Sequence, residues 1–61
     1  MTVVKILVER AGTLYIASAH DDVGKVCEAT DMDRRKALSK VKRATAQRLG
    51  NVDEWRVEDL G

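Results

Sequence analysis

Hydrophobic and polar positions follow a strand-like pattern in four segments of the chain, with clear alternation in residues 54–58, and a helical period in one. Residues 3–9 are rich in β-branched side chains, and a second such segment follows a short stretch around Gly12. A connection this short joins antiparallel strands. The pattern predicts an α+β fold in the order β-β-β-α-β, a small antiparallel sheet with one helix packed on one face. The predicted strands are residues 3–9, 14–19, 25–29 and 54–58.

The helix is predicted to begin between Thr30 and Asp33 and to end at Leu49. Thr30 as the N-cap would form a capping box with Asp33, whereas Asp33 as the N-cap starts the helix one turn later. Gly50 suits the residue that ends a helix in a left-handed conformation. Helical spacing places six residues on the side that packs on the sheet: Ala37, Leu38, Val41, Ala44, Thr45 and Leu49.

One helix covers one face of a four-stranded sheet, so the other face is predicted to be uncovered. Val3 and Leu7 share a face of the first strand. Depending on the register of the first hairpin, they are joined there by Tyr15 or by Leu14 and Ile16. An apolar patch on so small a protein is typical of an interface. We therefore predict a partner or oligomer interface at Val3, Leu7 and Tyr15.

Composition favours a partner chain. Sixty-one residues suffice for a single domain, residues 1–61, with a thin core. The chain has no Phe to fill that core, and its one Cys cannot form an internal disulfide. Because small domains are often stabilised by association, we expect a protein partner and a homodimer. The net charge is +1, no apolar run is long enough for a membrane span, and the first residues do not resemble a signal peptide. We expect a cytoplasmic protein that does not bind membranes.

A small polar cluster in the middle of the chain is the candidate for chemistry. His20, Asp21 and Asp22 stand near Cys27, which suggests a metal site or a Cys-His pair. Their spacing matches no known ligand pattern, and turn-forming acids account for the cluster more simply. We predict no catalytic residue, no metal and no cofactor, and hence no enzyme.

Basic residues concentrate on the helix, which holds seven of the eleven Lys and Arg residues. Such a face could contact nucleic-acid phosphates or an acidic protein, although no aromatic residue stands among these cations to stack on bases. Nucleic-acid binding is the alternative function. The candidate face for an anionic partner comprises Arg35, Lys36, Lys40 and Arg43.

Residues 15–24, 26–30 and 34–38 resemble the HicB family of antitoxins, whose pattern spans roughly residues 3–49 here. Val23 stands where that family prefers Pro, and the first helical turn is basic where the family's is acidic. The resemblance implies a non-catalytic, degraded ribonuclease-H-like fold that self-associates and blocks a small ribonuclease toxin. Inhibition of host machinery by a phage- or mobile-element-encoded protein is a further alternative.

Overall fold

The computed structural model describes residues 1–60, in which four strands form one sheet and a single helix packs on it. The elements are β1 (Val3–Ala11), β2 (Leu14–His20), β3 (Lys25–Asp31), α1 (Arg34–Leu49) and β4 (Glu54–Asp59). This order confirms the predicted α+β fold. The strands lie in the order β3-β2-β1-β4, and β1 pairs antiparallel with β2 but parallel with β4. The prediction of a purely antiparallel sheet is therefore wrong: the sheet is mixed, because α1 returns the chain so that β4 has the direction of β1.

Two tight turns connect the antiparallel strands. Gly12 adopts a φ of 62° between β1 and β2, a conformation that glycine adopts without steric cost. In the next turn the Asp21 carboxylate accepts hydrogen bonds from the backbone N–H groups of Val23 (2.9 Å) and Gly24 (3.0 Å). Asp21 thus stabilises the turn, as its residue type predicts.

The helix begins after Asp33, one of the two N-caps that the sequence allowed. Its carboxylate accepts a hydrogen bond from the backbone N–H of Arg35 at 2.8 Å. Thr30 cannot cap the helix because β3 continues through it to Asp31. At the other end Gly50 has a φ of 81° and a ψ of −145°, a positive-φ conformation that differs from the predicted left-handed one, and it donates its N–H to the carbonyl of Ala46. Both ends of α1 are therefore capped locally.

Small side chains let α1 lie close to the sheet, where it packs on β2 and β3. The fully buried core is formed by Val4, Ile6, Val8, Ala17, Ala19, Ala37 and Val41. Trp55 and Leu38 pack against this core from its margin. Leu49, which helical spacing placed toward the sheet, is instead 37% exposed and lies beside the turn between β2 and β3.

One polar side chain lies in this core, and its hydrogen bonds are satisfied. Thr45 is fully buried, and its hydroxyl donates to the carbonyl of Val41 at 2.6 Å. That hydroxyl is then the acceptor for the thiol of Cys27, 2.9 Å away. Cys27 accordingly connects β3 to α1 as a structural residue.

We expect Asp33→Ala to lower the free energy of unfolding by about 1 kcal/mol, because it removes the N-cap hydrogen bond. Asp33→Asn keeps an acceptor oxygen and should restore most of that loss. Asp22→Ala, an exposed turn residue, is the matched control and should change stability by less than about 0.5 kcal/mol. Urea denaturation followed by circular dichroism measures all three. Equal effects of the Ala substitutions at positions 22 and 33 would contradict the role of Asp33 as the cap.

Candidate protein-binding surface

The register of the first hairpin decides which side chains leave the core. Ala11 pairs with Leu14, so Leu7 pairs with Ser18 and Glu9 with Ile16. Leu14 and Ile16 therefore share a face with Val3 and Leu7, the face opposite α1. Tyr15 lies on the α1 side with its ring 5.7 Å from the Arg10 guanidinium. Of the three predicted interface residues, the structure brings Val3 and Leu7 to one face and places Tyr15 on the other.

We call the sheet surface opposite α1 the open face. Leu7 lies on it between Ser18 of β2 and Glu58 of β4, and Ile16 lies diagonally beside Leu7. Both are half-buried by their neighbours, whereas Leu14 is 42% exposed. Leu7, Ile16 and Leu14 form an apolar patch, and Lys5 separates it from Val3. No second layer within residues 1–60 covers this patch, since α1 packs on the other side.

Carboxylates outnumber cations on the open face. Four glutamates lie there against three cations, because Lys25, which pairs with His20 next to a bulge, joins Lys5 and Arg56. Lys5 lies 3.7 Å from Glu58, Lys25 lies 3.3 Å from Glu28, and Arg56 pairs with Glu54, so all three cations are engaged with acids. The open face therefore presents an apolar patch bordered by ion pairs and by Glu9, which has no salt-bridge partner within residues 1–60. We call these four acids the acidic rim: Glu9, Glu28, Glu54 and Glu58.

The predicted cationic face lies on the exposed side of α1, and Lys40 lies where this side borders β3. Lys36, Lys40 and Arg43 line a shallow groove there together with Ser39, Ala44 and Gln47. Lys40 also binds the Asp31 carboxylate at 2.8 Å. Arg35, Lys36 and Arg43 have no salt-bridge partner within residues 1–60. Within residues 1–60, most cations without a salt bridge therefore lie on α1, whereas the open face carries one acid more than its cations.

Other helix cations bind α1 to the sheet, a role that the sequence pattern did not predict. Arg34 forms two 2.9 Å hydrogen bonds with the Asp59 carboxylate, and this partner raises the pKa of the guanidinium. Arg48 donates to the carbonyl of Val26 at 2.9 Å. Lys42 lies 5.8 Å from the centre of the Trp55 ring. Only the packing of α1 across the strands brings these partners together, so no local sequence signal could have identified them.

The candidate catalytic cluster does not converge. His20 pairs with Lys5 of the open face and contacts the Ser18 hydroxyl at 3.0 Å, whereas Cys27 faces α1. No group of three metal-binding side chain types is close enough for a shared ion among residues 1–60.

Within the same residues, no helix has the length and apolar character that crossing a membrane requires.

The ion pair between Asp31 and Lys40 makes stability depend on pH. The hydrogen bond from Lys40, and then one from the backbone N–H of Asp33, hold the pKa of Asp31 below its ordinary value. The unfolded chain therefore binds this proton more readily than the folded protein. The stabilisation is complete above the unfolded-state pKa of about 3.9 and is lost as the pH falls through the lower folded-state value.

We expect Lys40→Gln to be less stable than the unsubstituted protein near neutral pH, and the difference to shrink below about pH 4. Arg43→Gln removes an equal charge from the same helix without touching Asp31, and is the control. Urea denaturation across the pH range measures the difference, and the NMR titration of the Asp31 carboxyl gives its pKa directly. A stability difference that stays constant down to about pH 2 would refute the linkage.

No protein-family model matches the chain, and neither a curated protein nor a solved structure shows significant similarity to it. The resemblance to the HicB family therefore remains a prediction. The features available for inferring function are those of the molecule itself: the apolar patch, the acidic rim and the cations of α1.

Proposed function

We propose that this protein is a non-catalytic binding module whose open face docks on a basic protein and blocks it. The observation that supports this proposal is the apolar patch of Leu7, Ile16 and Leu14 within the acidic rim. Buried apolar side chains supply affinity at such interfaces, and complementary charge at the edge guides association and orientation.

The chemistry of the open face favours a partner that itself binds nucleic acid. A ribonuclease needs a cationic surface for the phosphates of its RNA. A protein that covers this surface with carboxylates competes with RNA for the same cations. Glu9 has no salt-bridge partner within residues 1–60, so its charge is available to such a surface. The mode of action that we propose is therefore the HicB-like one, sequestration of a small basic ribonuclease toxin.

The competing functions would use other surfaces or other partners. Direct nucleic-acid binding would depend on Arg35, Lys36 and Arg43, which lie away from the open face. Inhibition of a host protein by a mobile-element product could use the open face, but with a target encoded elsewhere. Substitutions on the two sides of the molecule, together with the choice of partner, distinguish these functions.

We expect Leu7→Lys to weaken binding to a small basic ribonuclease encoded beside this gene by at least about tenfold. The substitution replaces the centre of the apolar patch with a positive charge, which has the same sign as the charge of the partner. Glu9→Lys should chiefly lower the association rate and the salt dependence. Calorimetric titration with the purified ribonuclease, and its cleavage of labelled RNA with and without this protein, measure both effects.

Lys36→Gln and Arg43→Gln are the controls on the opposite side, and they should leave affinity and inhibition unchanged. Circular dichroism verifies that every variant is folded. Loss of binding in the helix variants with no loss in Leu7→Lys would contradict the proposal. Salt-dependent binding of RNA or DNA probes that the helix variants abolish would instead establish the nucleic-acid function.

A further inference from the structure

The two edge strands of the sheet differ in whether side chains cover their outward backbone groups. On β3, helix cations cover the outward backbone: Arg48 donates to the carbonyl of Val26 at 2.9 Å, and Lys40 donates to that of Thr30 at 3.4 Å. Charged side chains placed in this way prevent another strand from pairing with an edge. The edge at β3 is therefore closed by the protein itself.

The edge at β4 has no such cover. The N–H of Glu54 donates to the carbonyl of Thr2, and the N–H of Leu60 donates to the carbonyl of Val8. The backbone groups of the even-numbered residues of this strand therefore point toward β1. The N–H and C=O groups of the odd-numbered residues then point outward: Trp55, Val57 and Asp59. Within residues 1–60, no side chain or other strand hydrogen-bonds to these groups. Val57 is also 42% exposed.

We propose that β4 pairs antiparallel with β4 of a second copy, giving a two-fold symmetric dimer with one continuous eight-stranded sheet. Pairing centred on Val57 joins the outward groups of both strands in about six backbone hydrogen bonds. The two Val57 side chains meet at the two-fold axis, where their exposed surface is buried.

The charges along β4 select this register. With Val57 on the axis, each Arg56 lies opposite the partner's Glu58, so the dimer gains two opposite-charge pairs. Centring the pair on Arg56 would place the two Arg56 side chains together and each Glu54 opposite the partner's Glu58. Like charges directly opposite each other destabilise a strand pair, and opposite charges stabilise it.

The dimer also enlarges the surface that is available for binding a partner. At the usual strand spacing and rise, the open face of one copy covers about 400 Å², whereas a stable protein interface buries about 800 Å² on each side. Residues opposite each other in an antiparallel pair point to the same side, so the dimer places both open faces on one surface and both copies of α1 on the other. The joined surface reaches the area of a standard interface.

The test uses a pair of charge-reversed chains. We expect the unsubstituted protein to dimerise in sedimentation equilibrium between micromolar and millimolar concentration. Arg56→Glu and Glu58→Arg should each weaken self-association at least about tenfold, because like charges then face each other across the axis. An equimolar mixture of the two variants should form a heterodimer, in which each substituted residue meets an opposite charge.

Arg35→Glu makes the same charge change on the exposed side of α1 and should leave dimerisation unchanged. Val57→Pro removes an outward N–H, which edge strands tolerate, and should weaken dimerisation by a route that does not involve charge. Circular dichroism confirms folding of each variant. A protein that stays monomeric at millimolar concentration, or a dimer that neither charge reversal affects, overturns the proposal. A monomer that binds the basic ribonuclease through Leu7 would refute the dimer alone and leave the proposed function standing.

Discussion

The two-residue connection at Gly12 and Thr13 is the constraint on which the rest of the structure depends. It pairs Ala11 with Leu14, and this pairing sends Val4, Ile6 and Val8 toward α1 together with the alanines of β2. A register slip of one residue would exchange the two faces of β2, bringing Leu14 and Ile16 under the helix and turning the alanines outward. The bulkier side chains would then keep α1 away from the sheet. The close approach of the helix and the apolar character of the open face thus have a common origin in one turn.

Ion pairs in this protein position elements around a core too small to do so alone. At separate points along α1, Arg34 contacts β4, and Lys40 and Arg48 contact β3. Each of these partly exposed ion pairs or hydrogen bonds adds little to the free energy of folding. Their value lies in orientation, since the alanines beneath the helix offer few interlocking shapes. The same distribution leaves the surplus of acids on the far side of the sheet. Helix docking and the polarity of the molecule are therefore two results of one arrangement of charge.

The sequence was sufficient for the order of elements because each follows from local chemistry: β-branched runs, turn-forming residues and helix caps. It was insufficient for features that depend on contacts between distant segments. β3 extends two residues beyond its predicted end at Ala29, because pairing with β2 continues to Asp31. The parallel neighbour of β1 depends on the path of α1, and the side on which Tyr15 lies depends on hairpin register. Val3 and Leu7 could be assigned to the open face in advance because they share the strand that both registers leave unchanged. The acidic rim combines three strands, so it appears only once their pairing is known.

The parallel ladder between β1 and β4 has a consequence for the newly made chain. Of the four strands of this sheet, β1 is synthesised first and its outer neighbour β4 last, and Val3 must meet Glu54 across the segments of β2, β3 and α1. Closing so long a loop is the costliest contact in the fold, so the hairpins and α1 can assemble before it. Until translation reaches the C-terminal strand, the apolar residues of β1 present an unpaired border to the surroundings. The nascent protein is therefore most exposed to misassociation while β4 is still missing from the sheet.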